Sequence, residues 1–282
     1  MKFLNFSLVL LMILLNGKTF AMVRALNTSA TGMAAQEANV NTISNNIANV
    51  NTTGFKRDRA ETEDLLYETQ VLAGSRSSFS SRYNVGIQIG SGSKISAIKK
   101  EFTTGSPQIT NNPFDLMING DGFFAIILPN NLVKYTRDGS FSVDNTGTIV
   151  TKSGYKLFPG ITIPSASTNI KISESGAVEA YLKDQIEPIS VGSIPVYTFT
   201  NPVGLINAGG NLYDVSQASG PPIEQIPGQS NAGVIMQGTL ESSNVSIMTE
   251  MTNLIRAQRA YEMNSKVMGV ADQMLQTINN IR

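Results

Sequence analysis

Histidine, cysteine and tryptophan are all missing from this 282-residue chain. Their absence excludes Cys/His zinc sites, Ser–His and Cys–His nucleophile pairs, thiol redox chemistry and disulfides, and leaves an enzyme only carboxylate, Lys, Tyr or Ser–Lys chemistry. An excess of either charge is missing too: 21 basic and 21 acidic side chains give a formal net charge of zero. A nucleic-acid module carries a basic face, so no nucleic-acid partner is expected. The length suggests about two domains, and a chain this long can bury roughly 70–75% of its unfolded surface without covalent help.

Apolar runs long enough to cross a bilayer are also lacking. Lys2 is followed by an apolar run from Phe3 to Leu15, broken by Asn5 and Ser7, and then by a polar stretch that ends Thr19-Phe20-Ala21. The run is short for a span and reads as a secretory signal pattern. The alternative is an upstream stretch, with the true start at Met22.

The segment from Met22 to Val50 has a helical rhythm. Met22, Leu26, Met33, Val40, Ile43, Ile47 and Val50 recur at steps of three and four, with Ser29 and Gln36 filling the gaps. The spacing predicts a helix about 40 Å long. Between Met22 and Gly54 the only charged side chains are Arg24 and Glu37. Asn, Ser and Thr are mediocre helix formers, so the helix is weak alone and is expected to order against partners. Its uncharged face lets copies pack side by side without like-charge repulsion, or else packs on its own domain.

At the other end Ile247, Met251, Leu254, Tyr261, Met268, Ala271, Leu275 and Ile278 keep a near-heptad rhythm. Two such stripes can meet as a coiled-coil-like pair. Between them the pattern turns to β. Asn119-Gly120-Asp121-Gly122, Asp138-Gly139, Asn145-Thr146-Gly147 and Ser153-Gly154 punctuate short Ile/Val/Phe/Tyr runs, as hairpins require. The predicted fold is α+β: an extension over 1–21, an assembly helix over 22–60, an extended arm or linker over 61–100, an antiparallel β-rich domain over 101–240 and a second assembly helix over 241–282.

Catalytic motifs are weak. Gly90-Ser91-Gly92-Ser93-Lys94 lacks the spacing of a phosphate loop, and Asp144-Asn145-Thr146-Gly147 lacks the contiguous Asp-Thr-Gly of an aspartic protease. Asp115, Asp121, Asp138 and Asp144 each adjoin a turn, where Asp caps local backbone. No catalytic residue, metal or cofactor is expected.

Several blocks carry a family resemblance. Ser44-Asn45-Asn46-Ile47-Ala48-Asn49-Val50-Asn51-Thr52-Thr53-Gly54-Phe55-Lys56-Arg57 resembles the N-terminal signature of the bacterial flagellar rod and hook proteins. Met251 to Lys266, which includes Gln258-Arg259-Ala260-Tyr261, resembles their C-terminal signature. Gly122-Phe123-Phe124, Tyr135 to Phe141 and Gly238 to Val245 match central blocks. The resemblance covers almost all of Met22 to Arg282. It implies a structural subunit, most like those of the distal rod, that polymerises into a tubular shaft crossing the periplasm and carries motor torque to the hook. A proximal rod or hook subunit is the alternative, ahead of a secreted β-rich adhesin or cell-wall hydrolase.

The implied partners are further copies of the chain, other rod and hook proteins, the L and P ring proteins and the flagellar type III export apparatus. Because that export route uses no cleaved signal, the resemblance favours Met22 as the start. Leu26, Met33, Val40, Ile43 and Ile47 are then expected to meet Met251, Leu254, Tyr261, Met268 and Leu275 within or between subunits. Asn45, Asn46 and Asn49 would make lateral amide contacts between copies, or else close the loop at the helix end. Gly54 suits a helix cap or tight turn, and Lys56 and Arg57 would offset the helix dipole or stay solvated.

Overall fold

The computed structural model describes residues 2–76, 82–182 and 187–280, with residues 2–22 and 279 by backbone only. Two long helices bracket a strand-rich middle: α1 is Lys2–Ala48 and α2 is Ile247–Asn280. The backbone of α1 runs unbroken from the apolar run into the assembly segment. Among the described residues, no helix is long and apolar enough to cross a membrane. The chain divides into two compact units, one drawn from residues 1–45, 59–99 and 248–282 and the other from 46–58 and 100–247.

In the first unit, the segment expected as an arm or linker is antiparallel β structure. Asp58–Asp64 pairs with Ser93–Lys100, and Tyr67–Val71 pairs with Ile87–Gly90. The first pair carries few apolar residues and is laced by ions: Lys94 Nζ lies 2.7 Å from Glu63 and Lys99 Nζ 2.6 Å from Glu61. Opposite charges across a ladder stabilise pairing that side-chain burial does not supply. The arm also touches α1. Arg24 of the helix lies 2.8 Å from Glu68, and Gly92, with φ +114°, sits where a Cβ would collide with the Thr31 hydroxyl.

The helices approach each other through small residues. A Cβ on Gly32 would lie 2.7 Å from Asn264 Nδ2, and the buried positions nearby on the two helices are Ser29, Ala35, Ala257 and Ala271. Leu26, Met33, Val40, Ile47, Leu254, Met268 and Leu275 are half-buried and only Ile43 is buried. Met251 and Tyr261 are both 44% exposed. Small side chains let helix backbones come close, and the larger ones then lie along the margins of the contact.

The second unit holds the main core. Its largest sheet has seven antiparallel strands in the order Ile206–Gly209, Leu212–Asp214, Val133–Thr136, Phe124–Ile127, Lys156–Leu157, Ile149–Thr151 and Phe141–Val143. Residues alternate faces along a strand. Phe124 and Ile126 enter an aliphatic core with Leu116, Ile149, Leu157 and Val178, whereas Phe123 and Ala125 enter an aromatic cluster with Tyr135, Tyr197 and Tyr213. Edge-on ring contacts with centroids 5.0–5.6 Å apart link Phe102, Phe123, Tyr135, Tyr197, Phe199 and Tyr213. The neighbouring Gly122 is required because a Cβ there would enter Val196.

The aromatic cluster predicts an alkaline limit to stability. Burial pushes the hydroxyls of Tyr135, Tyr197 and Tyr213 up, and for Tyr197 the hydrogen bond to Glu224 adds to it. The folded chain therefore keeps these protons above about pH 10, where an unfolded chain loses them, so stability is full below that pH and falls as pH rises past it. Urea midpoints measured from pH 8 to 11 should fall steeply above pH 10. Tyr213→Phe should flatten the fall.

Candidate assembly surface

α2 carries a second apolar stripe on the side away from its buried positions. Met248, Met251, Ile255, Arg259, Met263, Val267, Val270 and Met274 step by 3, 4, 4, 4, 4, 3 and 4 residues, and all but Arg259 are apolar. Each of these apolar side chains is at least 44% exposed. A helix with one apolar face buries it on its own domain. Here the outer face is apolar as well, and Arg259 of the C-terminal signature interrupts it as an exposed group, with exposed Gln258 beside it. Monomers rarely leave contiguous apolar surface of this kind in water, and where they do it marks a contact site.

The N-terminal signature does something different: it closes a junction inside the second unit. At the end of α1, the Asn46 amide imitates a neighbouring strand, donating from Nδ2 to the Asp58 carbonyl and accepting at Oδ1 from the Asp58 amide, both at 2.8 Å. Asn46 has no exposed surface. Within the chain its amide closes the loop at the helix end. Asn49 Oδ1 accepts from Thr52 within the same loop, while Asn45 lies on the exposed side.

Gly54 comes next with φ +68°, and its amide donates to the Glu241 carbonyl. A Cβ on it would lie 2.7–2.8 Å from the Arg137–Asp138 peptide. Gly54→Ala is therefore expected to cost at least the ~1–3 kcal/mol of a strained left-handed residue, with the clash added, and denaturant midpoints would register it.

Lys56 corrects the expectation of a solvated or dipole-offsetting cation, since it is wholly buried. Its Nζ donates to Glu241 Oε1 at 2.6 Å and to the Thr103 carbonyl at 2.7 Å. Glu241 Oε1 also accepts from the Gly105 amide. The second carboxylate oxygen faces Arg137 Nη1 at 3.7 Å, beyond hydrogen-bond reach, while Arg137 donates to the carbonyls of Ile118 and Gly120 and lies over the Phe123 ring. One carboxylate thus sits between two buried cations. Burial, then Arg137, pushes the Lys56 ammonium down, and burial does the same to Arg137. Around this centre Arg57 pairs with Glu101, Lys100 pairs with Asp58 and lies over Phe55, and Asn244 bridges the Arg57 amide to the Glu101 carbonyl.

Sequence reasoning did not assign Arg137, Glu241 or Asn244. The signal was available in part: Thr239 and Glu241 share a strand face on which Leu240 does not lie, and that face is buried. The partner could not be read off, since Lys56 and Glu241 are 185 residues apart. Three of the four aspartates fare as expected for turn residues: Asp115 accepts from Thr110 and Asn112, Asp138 from Ser140, and Asp144 from the Asn145 amide. Among the described residues, no group of three or more His, Cys, Asp or Glu side chains is placed to hold a metal.

Comparison with known proteins gives the class: this chain belongs to the flagellar basal-body rod and hook family. Three family models match it. They are the flagella basal body rod protein over residues 26–56, the flagellar hook protein FlgE/F/G D1 domain over 117–180 and the flagellar basal body rod FlgEFG protein C-terminal over 236–281. Similar relatives are the flagellar basal-body rod proteins FlgG of Caulobacter vibrioides, 48% identical with 92% of this chain and 100% of the relative covered, and of Borreliella burgdorferi, 47% identical with 93% and 99% covered. A third, from Buchnera aphidicola of Schizaphis graminum, is 44% identical over 92% of this chain and the whole relative.

Proposed function

We propose that the chain is a subunit of the distal part of the flagellar rod, polymerising into the shaft that crosses the periplasm and carries torque to the hook. The observation that carries this reading is the outer apolar stripe of α2. An apolar face left open on a helix whose other face is already covered is suited to contact between copies, and a heterologous contact that does not close generates a helical filament. The names of the similar relatives supply the rod assignment, and the arm over 61–100 supports the distal position through the resemblance of residues 67–105. In this reading the two helices are the assembly elements. Asn45, together with Gln258 and Arg259 of the outer face, meets neighbouring copies, and the ends of the polymer meet other rod and hook proteins. The L and P rings surround the shaft, and the type III apparatus delivers its subunits.

Sedimentation and electron microscopy of the concentrated chain test the proposal. Polymers that grow with concentration are expected; a discrete particle at every concentration overturns it. Labelled subunits in isolated basal bodies, imaged with a tag in the arm, would distinguish a distal from a proximal or hook position.

A further inference from the structure

The outer stripe of α2 is built largely from thioethers. Five of the chain's eleven methionines lie in this helix, and four of them, Met248, Met251, Met263 and Met274, are exposed on it, from 44% for Met251 to 79% for Met248. The leucines of the same helix, Leu254 and Leu275, are half-buried. Of the methionines elsewhere, Met117 is buried in the second unit, and Met33 and Met236 are half-buried. The chain has no cysteine to react first.

We propose that Met248, Met251, Met263 and Met274 form an oxidation-sensitive gate on self-assembly. The inference rests on the reading of this stripe as the contact between copies. In the free chain a sulfur lone pair attacks one oxygen of a hydroperoxide such as hydrogen peroxide. The S–O bond forms as the O–O bond breaks, sulfur gives up two electrons, and the departing hydroxide takes up the proton released from the attacked oxygen and leaves as water. The product sulfoxide is polar and a strong acceptor, so a face that joined copies by apolar burial then carries four groups that must be dehydrated without partners. Once copies cover the stripe, peroxide no longer reaches the sulfurs, so the gate acts on subunits and not on the finished polymer. Leucine would give the same stripe similar volume without this sensitivity.

Peroxide treatment of the soluble full-length chain, followed by peptide mass mapping and sedimentation, tests the proposal. Sulfoxide is expected at the four positions well before Met117, together with about a tenfold or greater rise in the concentration needed for polymer. Reduction by methionine sulfoxide reductases should restore assembly. The variant Met248→Leu/Met251→Leu/Met263→Leu/Met274→Leu should polymerise both before and after peroxide.

Complete oxidation at the four sites with unchanged assembly overturns the proposal, as does a leucine variant that assembles but remains equally sensitive. Should that variant fail to assemble, reversal in the parent chain decides: recovery on reduction supports the gate, and no recovery overturns it. An untreated parent chain that never polymerises instead removes the assembly reading, and is distinguishable because no oxidant is involved.

Discussion

Replacing Glu241 by glutamine is expected to destabilise the second unit by about 3–5 kcal/mol, the range found when one member of a buried ion pair is removed. The shape of the side chain is kept, and so is an acceptor for the Gly105 amide. What is lost is the charge that Lys56 and Arg137 share, both of them essentially without exposed surface. Lys56 is the weaker holder of its proton, because burial and Arg137 already push its ammonium down. In the variant it should give the proton up more readily still.

Proton binding sets the direction of the pH dependence. Below the lowered folded value Lys56 is charged in both states and the full penalty is present. Between that value and its ordinary one near 10.4, the unfolded chain binds the extra proton, so the stability of the variant should rise with pH in that window. The tyrosine cluster reverses the trend only above about pH 10. Adding Lys56→Met to Glu241→Gln should restore part of the loss, and a double-mutant cycle on urea midpoints would show non-additivity well above ~0.5 kcal/mol. Additive single effects would mean that the two side chains do not act as a pair.

The second large effect concerns assembly rather than folding. Met263→Glu combined with Val270→Glu places two carboxylates seven residues apart on the outer face of α2. Both sites are exposed in the chain, so monomer stability should change by no more than about 0.5 kcal/mol per substitution. In a polymer the same carboxylates would be dehydrated and would recur in every copy. Polymer should vanish from sedimentation at concentrations where the parent chain pellets, with unchanged circular dichroism. Met263→Leu with Val270→Ile serves as the control that keeps apolar area and should still pellet. Equal pelleting by the charged variant would show that this face is not the contact.

Periodicity makes both helices legible in the sequence, but it passes over the small residues they bury. Apolar spacing gives weight to Met, Leu, Ile and Tyr, of which Ile43 is buried, but Ser29, Ala35, Ala257 and Ala271 are buried as well, residues whose value lies in their small size. Turn chemistry is equally legible in the middle of the chain: Gly147, Gly154 and Gly176 all adopt the positive φ that their hairpin positions demand. The arm is not. Asp58–Asp64, with the sequence DRAETED, has none of the β-branched or aromatic alternation that announces a strand, and its pairing depends on charges supplied by residues 94–100. The ion cluster is hidden for a related reason: its members lie in separate blocks, and only folding shows that they share a centre.

That cluster also bears on how the chain would respond to being cut. Two of the crossings of the chain between its units, at 58/59 and 99/100, lie close in sequence to Lys56, Arg57, Glu101 and Gly105, which are fastened to the Glu241 carboxylate or the side-chain amide of Asn244. A protease that nicks the chain at 58/59 or 99/100 would leave its two fragments riveted there, because Lys56 and Arg57 stay with one and Glu241 and Asn244 with the other. Fragments from either of these nicks should therefore elute together until denaturant dissolves the rivet.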